Sequence, residues 1–324
     1  MANALGQSDL CGAAVTLALC TLSRHKPRMM QQPDILCIGS VLWDVIGRAP
    51  NPMRLGSDVP GRITRLPGGV AMNIAMTLRR FAMVPALLSN VGRDTEGDDL
   101  IGAAQRMGLI CDHVYRSDDL PTDIYMAIEG ANGLIAAIAD AHSLEAAGDK
   151  ILRPLANGAL GSVTAPWAGP VALDGNLTVD LLRDIATSPL FRNADLRVAP
   201  ASPGKAERLL ALLGHPSATL YVNLEEAGLL CQTTFASSAD AAAGLIARGA
   251  RRVLVTDGGQ SASEATGNDI ITRVPPAVMV TRVTGAGDTF MAAHIASEAQ
   301  GMARDAALDR ACQAAATYVS GEIA

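Results

Sequence analysis

The sequence is poor in aromatic residues and has no excess of positive charge. Aromatic side chains make up 3% of its 324 residues, and the formal net charge is −6. Nucleic-acid binding needs a basic surface, and single-strand binding also needs rings on which bases can stack. The composition therefore predicts no nucleic-acid partner.

No hydrophobic run is long enough to cross a membrane. An apolar run near the N-terminus covers the 11 residues 12–22, whereas a spanning helix needs about 20. Arg24, Lys26 and Arg28 follow this run, whereas a secretory signal carries its positive charge before it. We expect a cytoplasmic protein with no membrane partner. Because the first strand-like segment begins at Asp34, residues 1–28 are interpreted as an N-terminal extension, either disordered or preceding the true start.

The cysteines form no recognisable site. The six are scattered, with no CxxC pair and no Cys/His cluster at zinc-ligand spacing. This pattern indicates reduced, mostly buried thiols. The hydrophobic fraction of 49% also excludes a disordered chain and is sufficient for a large core.

Short β-type runs alternate with helical patterns along most of the chain. Such alternation is typical of βαβ units, in which helices cover both faces of a parallel sheet. The predicted strands are 35–39, 86–91, 170–173, 196–199, 220–223 and 253–256. The predicted helices are 71–81, 97–107, 178–187, 205–213 and 239–247, followed by two Ala-rich helices in 286–319 that are broken near Gly301. The predicted fold class is α/β with a doubly wound, mostly parallel sheet.

Two regions interrupt this alternation. The run 59–66 reads as a strand, and the runs 124–129 and 134–139 flank a turn at 130–133 that contains Asn-Gly. Asn-Gly supplies the positive φ values that a tight β-hairpin needs. We therefore predict one large domain, 29–324, with a small β-sheet lid formed by about 59–66 and 112–140.

The strongest local motif is Gly285-Ala286-Gly287-Asp288, which opens a helical pattern. Glycines at a helix start leave backbone N–H groups free to hold a phosphoryl group, and the helix dipole reinforces them. A carboxylate at the same place could accept a proton from an attacking hydroxyl. The alternative is an ordinary glycine turn with Asp288 as a helix cap.

Weaker motifs contain side chains suited to a sugar. Gly68 and Gly69 precede a helix that carries Asn73 in its first turn, and an amide can both donate to and accept from hydroxyls. Asp44 follows the first strand, and ligands of open α/β sheets lie at strand ends. The alternatives are a simple turn for the glycines and a turn or cap residue for Asp44.

Two further motifs suit a nucleotide. Asn223 and Glu226 lie three residues apart at a strand end, where they could reach Mg²⁺ or form a capping box. Thr256 and Gly258 end another strand and could pass close to a nucleotide. The chain lacks a GxxxxGK[ST] motif and has no GxGxxG after the first strand, so P-loop and dinucleotide-binding folds are not supported.

The order of these motifs resembles that of the ribokinase-like (PfkB) carbohydrate and nucleoside kinases. An Asp after strand one, GGxxxN, a β flap, NxxE, TxG and GAGD occur in the same succession from about Asp34 to the C-terminus. Within the family, the stretches 68–80, 121–128, 138–140 and 201–205 are similar to pseudouridine kinases. Met72, where those kinases tend to have Arg, and Ser261, where the family pattern has Gly, depart from it.

The resemblance implies roles for individual residues. Asp288 would be the catalytic base, with Gly285, Ala286 and Gly287 as the anion hole. The substrate side would comprise Asp44, Gly68, Gly69, Asn73, Thr122, Tyr125 and Lys205. The nucleotide side would comprise Asn223, Glu226, Thr256 and Gly258, with Asn223 and Glu226 positioning Mg²⁺, in part through water.

The function implied is ATP- and Mg²⁺-dependent phosphorylation of the primary hydroxyl of a ribosyl compound, with pseudouridine as the first candidate. Another sugar or nucleoside kinase of the family, such as a ribokinase or fructokinase, is the alternative. A second alternative is a sugar-binding regulator without turnover. A requirement for a monovalent cation is left open, and the flap is expected to support a homodimer.

Overall fold

The computed structural model describes residues 32–54 and 56–321, so the interpretation of residues 1–28 lies outside the described residues. The strands are β1 Ile35–Ile38, β2 Leu42–Arg48, β3 Arg62–Gly68, β4 Pro85–Leu88, β5 Asn90–Gly92, β6 Tyr115–Ser117, β7 Ile124–Gly130, β8 Gly133–Asp140, β9 Pro170–Asp174, β10 Asp195–Ala199, β11 Ala218–Asn223, β12 Arg252–Thr256, β13 Ala262–Thr266 and β14 Asp269–Arg273. The α-helices are α1 Val70–Arg80, α2 Thr95–Arg106, α3 His142–Ala147, α4 Arg153–Ala156, α5 Val179–Thr187, α6 Leu224–Cys231, α7 Ser238–Ala247, α8 Ala286–Ala299 and α9 Arg304–Ser320.

The central sheet has eight strands in the order β14-β13-β12-β11-β10-β9-β1-β4. The strands from β12 to β4 are parallel, and β13 and β14 form an antiparallel hairpin at one edge. Parallel strands need crossover helices, which cover the two faces of the sheet. The predicted α/β class with a mostly parallel sheet is confirmed.

The residues of β1 show how the two faces are filled. Leu36 and Ile38 pack into one apolar cluster, whereas Ile35 and Cys37 pack into the other. This alternation follows from the two-residue period of a strand, and all four side chains are fully buried. The second cluster contains many alanines of α8 and α9, whose small side chains let these helices pack closely on the sheet.

A separate sheet of four strands, in the order β3-β2-β7-β8, forms the lid. Its β7–β8 hairpin closes through the Gly130–Gly133 turn, as the Asn-Gly pair predicts. Strand β2 was not predicted, and it places Asp44 inside the lid sheet, paired with Leu66 on β3. The lid therefore differs from the predicted segments, because β6 lies outside it and pairs with β5 instead.

Other differences concern boundaries and helix type. The predicted strand 86–91 divides at Ser89 into β4 and β5, which belong to different sheets. The predicted helix 205–213 is a 3₁₀ helix, Pro203–Leu212, and the β13–β14 hairpin was not predicted.

Two sequence expectations concern membranes and cysteines. Among the described residues, no helix is both long enough and apolar enough to cross a membrane. The four cysteines of the described part, Cys37, Cys111, Cys231 and Cys312, are free thiols, and three of them are buried.

Candidate active site

The glycine pair ahead of α1 is held by Ser40, just beyond β1. Ser40 Oγ accepts from the backbone N–H of Val70 at 2.9 Å, and Ser40 O accepts from that of Met72 at 3.3 Å. Gly69 is the N-cap of α1 with φ 92°. These contacts bring the start of α1 against the carboxyl end of β1, where ligands of open α/β sheets bind.

Gly68 lies against the carboxylate of Asp44. A Cβ added at Gly68 would lie 2.0 Å from Asp44 Oδ2, so any other residue there would displace the Asp44 carboxylate. Burial raises the pKa of Asp44 to about 6. Tyr125 pairs in register with Asp44 on the neighbouring strand β7, so both lie on the lid at the same height along the strands.

Asp288 lies in the first turn of α8, three residues after the N-cap Gly285, which has a left-handed backbone conformation with φ 88°. The side-chain amide of Asn73 donates to Asp288 Oδ2 at 3.0 Å, although the two residues are 215 positions apart in the chain. Burial raises the pKa of Asp288 to about 7. The hydrogen bond from Asn73 opposes this rise, and the smaller effects of the charges of Asp174, Asp44 and Glu226 add to it. A carboxylate whose pKa lies near 7 is well matched to proton transfer at neutral pH.

Asp174 is a site residue that the sequence analysis missed. It ends β9 and is fully buried, and its Oδ2 accepts from Ser40 N at 2.7 Å and from Ser40 Oγ at 2.5 Å. Asp174 therefore fixes Ser40, which itself binds the backbone that follows the Gly68–Gly69 pair. The signal available in the sequence was an Asp at the end of a buried strand, followed by Gly175.

Lys205 joins this cluster through Asn176, which was also missed. Lys205 Nζ donates to Asn176 Oδ1 at 2.6 Å, and Asn176 Nδ2 donates to Asp174 Oδ1 at 2.9 Å. An ammonium group has three protons to donate, so this contact leaves Lys205 able to donate to a ligand.

A cavity of about 400 Å³ lies on the other side of the Gly285–Asp288 turn. Four predicted residues line it: Thr256, Gly258, Ala286 and Gly287. Most of the remaining lining is apolar and includes Val278, Val280, Val283, Phe290, Ala316 and Val319. Ligand sites are typically apolar clefts with a few convergent polar groups, and this cavity has that character.

Asn223 and Glu226 form a complete capping box at the start of α6. Asn223 Oδ1 accepts from Glu226 N, and Glu226 Oε2 accepts from Asn223 N, both at 2.8 Å. This geometry is the alternative left open by the sequence. Burial raises the pKa of Glu226 to about 7, with Glu225 adding to it and the backbone hydrogen bond from Asn223 opposing it.

The described residues contain no cluster of three or more His, Cys, Asp or Glu side chains able to hold a metal alone. Mg²⁺ is usually bound by one or two carboxylates together with substrate phosphates and water. Glu226 Oε1 has no hydrogen bond to the described residues, so the donor set fits Mg²⁺ in that mode.

Three other positions singled out in the sequence have contacts away from the cavity and from Asp288. Thr122 is buried, and its hydroxyl donates to Asp94 Oδ1 at 2.5 Å, so it braces the start of α2 rather than standing free in a cleft. Met72 is fully buried in an apolar cluster. Ser261 lies 3.1 Å, Oγ to Oγ, from Ser238.

Comparison with known proteins gives this geometry its context. The chain is 29% identical over 302 residues to the uncharacterized sugar kinase YeiI of Escherichia coli K12, covering 91% of this chain and 81% of that protein. It is 27% identical over 284 residues to the pseudouridine kinase of the same organism, covering 85% of this chain and 86% of that protein.

A solved structure shares the fold. The ribokinase of Thermotoga maritima superposes with a TM-score of 0.73 at 19% identity, covering 89% of this chain and 93% of that one. The model of the pfkB family of carbohydrate kinases matches residues 32–322. The α/β sheet, the β lid and this match together show that the chain belongs to the pfkB family of carbohydrate kinases, which are phosphotransferases acting on an alcohol group.

Proposed function

We propose that this kinase transfers the terminal phosphoryl group of ATP, with Mg²⁺, to the primary hydroxyl of a ribosyl compound, and that the compound is pseudouridine. One observation carries the proposal. Asp288, in the first turn of α8, accepts a hydrogen bond from Asn73 of α1. It lies near enough to the lid residue Asp44 to feel its charge, and its neighbours Ala286 and Gly287 line the cavity. Acceptor and donor would thus meet at one carboxylate.

Each side of the site has a separate part in the reaction. Asp44, Gly69 and Asn73 would bind the sugar hydroxyls, and Asp288 would take the proton of the hydroxyl that attacks. The N–H groups of Gly285 and Gly287, which have no acceptor among the described residues, would stabilise the charge on the transferred group. Glu226 and the ATP phosphates would hold Mg²⁺, which would neutralise part of the phosphate charge. Phosphoryl transfer depends mainly on such positioning and charge neutralisation.

The lid has its own part. Strands β2 and β3 carry Asp44 and Gly68 to the acceptor side, so lid closure would cover the sugar and exclude water. Exclusion of water protects ATP from hydrolysis.

Pseudouridine is favoured over other acceptors by three features. The E. coli relative that bears this activity in its name is 27% identical. Lys205, fixed by Asn176, can donate to a carbonyl oxygen of a base, and Tyr125 offers one of the few rings for stacking.

The test is a coupled ADP-release assay with pseudouridine, uridine, adenosine, ribose and fructose as acceptors. We expect the highest kcat/KM with pseudouridine. A preference for ribose or fructose would make the protein another sugar kinase of the family. Saturable ligand binding without turnover on any acceptor would make it a sugar-binding regulator. Repeating the assay with and without K⁺ decides the requirement for a monovalent cation.

The proposal includes a homodimer formed through the lid. The lid strands expose large apolar side chains, with Ile63 at 77% and Ile138 at 68% of full exposure. A second copy would bury them. Light scattering should give twice the monomer mass, and Ile63→Asp together with Ile138→Asp should give monomers; an unchanged mass would contradict the lid as the interface. A cytoplasmic location also belongs to the proposal, because ATP is the donor.

A further inference from the structure

The last turn of α9 holds the segment that precedes the anion hole. Val319 O accepts from the backbone N–H of Thr281 at 2.8 Å and of Arg282 at 3.3 Å, and Tyr318 O accepts from Arg282 Nε at 2.7 Å. Hydrogen bonds thus fix the segment 281–285 to the C-terminal end of α9. The same helix lines the nucleotide cavity through Ala315, Ala316 and Val319.

Residues Val283–Ala286 form a type II turn. The N–H of Ala286 donates to Val283 O at 3.1 Å, and Gly285, the third residue, has φ 88° and ψ 0°. Type II and type I turns differ by a flip of the central peptide, here the one joining Thr284 to Gly285. Its orientation decides where the N–H of Gly285 points.

Tyr318 fixes that central peptide. Its hydroxyl donates to Thr284 O at 2.8 Å, and its ring is covered by the Arg282 guanidinium at 3.8 Å from the ring centroid. A Cβ added at Gly285 would lie 2.6 Å from the Tyr318 hydroxyl oxygen. The phenol therefore packs directly against the turn.

The hydrogen bond from Tyr318 to Thr284 O also determines the direction of the Gly285 N–H, because both groups belong to one trans peptide. In a trans peptide the C=O and N–H point in opposite directions, so a carbonyl drawn toward Tyr318 turns the Gly285 N–H away from it. That N–H has no acceptor among the described residues. It therefore remains available to a phosphoryl oxygen.

We infer that Tyr318 is a positioning residue of the phosphoryl-transfer site, whose hydroxyl locks the type II turn and so aims the Gly285 N–H at the transferred group. The inference rests on the proposed function, because the N–H needs a phosphoryl oxygen to receive it. An aimed donor acts mainly in the transition state, so its loss should lower kcat and leave binding nearly unchanged.

The test is Tyr318→Phe, which removes the hydroxyl and keeps the ring that Arg282 covers. We expect kcat to fall about tenfold, with the acceptor KM, and the ATP Kd by calorimetry, within about twofold of wild type. The midpoint of the kcat/KM pH profile should not move, because Asp288 is unaltered. Tyr115→Phe is the matched control, since Tyr115 lies on β6 outside the site, and its kcat should be unchanged.

The outcomes separate this inference from the proposed function. A wild type inactive on every acceptor contradicts the proposed function. An active wild type whose Tyr318→Phe variant keeps kcat within twofold, or loses activity through KM or Kd alone, overturns the inference. A fall in kcat accompanied by loss of ATP binding or of the folded state also overturns it, because Tyr318 would then act by stabilising the fold.

Discussion

At the scale of single residues, the site depends on contacts between distant positions. Asn73 and Asp288 come from helices at opposite ends of the chain, yet they share a hydrogen bond. Their motifs were recognisable in the sequence because glycines mark both helix starts. Asp174 was missed because its role depends on Ser40, a contact across 134 positions that no local pattern shows.

Replacement of Asp288 by Asn should remove the base while keeping the geometry. The amide oxygen of Asn can still accept from Asn73, so the side chain should stay in place. We expect kcat to fall by at least about 10²-fold, the low end for loss of a general base. Steady-state kinetics check this, with Asp180→Asn, an exposed site on α5, as the control. Near-wild-type turnover in Asp288→Asn would mean that another group takes the proton.

The pH dependence of activity should also follow Asp288. Burial raises its pKa to about 7, and the base must be ionised to accept a proton. The value of kcat/KM should therefore rise as pH increases from about 5.5 and level off above about 8. Asp288→Asn should flatten this limb of the profile. A wild-type profile already flat between pH 5.5 and 8 would contradict the assignment.

At the scale of elements, local patterns predicted most helices and buried strands but not the irregular segments. Thr178 caps α5 as its residue type suggests. The 3₁₀ helix Pro203–Leu212 could not be told from an α-helix, because both bury one apolar face. The β13–β14 hairpin was missed because its strands carry polar residues such as Glu264, whose partners lie on other elements.

The loop between β14 and α8 should contribute apolar contacts to nucleotide binding. Val280 lines the cavity, whereas Val274 lies on the same loop but outside it, and both are exposed. Val280→Asp places a charge where a base would bury apolar surface, so we expect the KM for ATP to rise about tenfold without a change in the acceptor KM. Val274→Asp is the matched control and should leave both constants unchanged. Equal effects of the two variants would exclude a specific contact.

At the scale of the whole molecule, a network of charged residues joins the sheet to the C-terminal helices, at the end of α8 far from Asp288. Glu298 of α8 pairs with Arg197 of β10 and with Arg252 of β12. Glu264 of β13 pairs with Arg252 and, at 2.6 Å, with Arg304 of α9. Three strands and two helices are therefore tied together by largely buried ion pairs.

Glu298→Gln should test how far this network stabilises the fold. Burial opposes ionisation of Glu298, but the hydrogen bond from Arg252 and the charge of Arg197 outweigh it and lower its pKa to about 2. Removal of the charge takes one counter-ion from each of two largely buried guanidinium groups, while Arg252 keeps Glu264 and Arg197 keeps Asp195. The loss of the charge-assisted hydrogen bonds should cost about 2 kcal/mol of unfolding free energy. Chemical denaturation at pH 7 measures this cost. Glu207→Gln, at an exposed position, is the control and should change the free energy by less than about 0.5 kcal/mol.

The pH dependence of this cost has a definite sign. Because the pKa of Glu298 is lower in the folded state than in the unfolded chain, its contribution is complete above about pH 5 and declines as the pH falls toward 2. The difference in Tm between wild type and Glu298→Gln should therefore shrink steadily between pH 5 and pH 3. A difference that stays constant over this range would show that the variant is destabilised by altered packing at α8, and that the charge of Glu298 does not hold the strands and helices together.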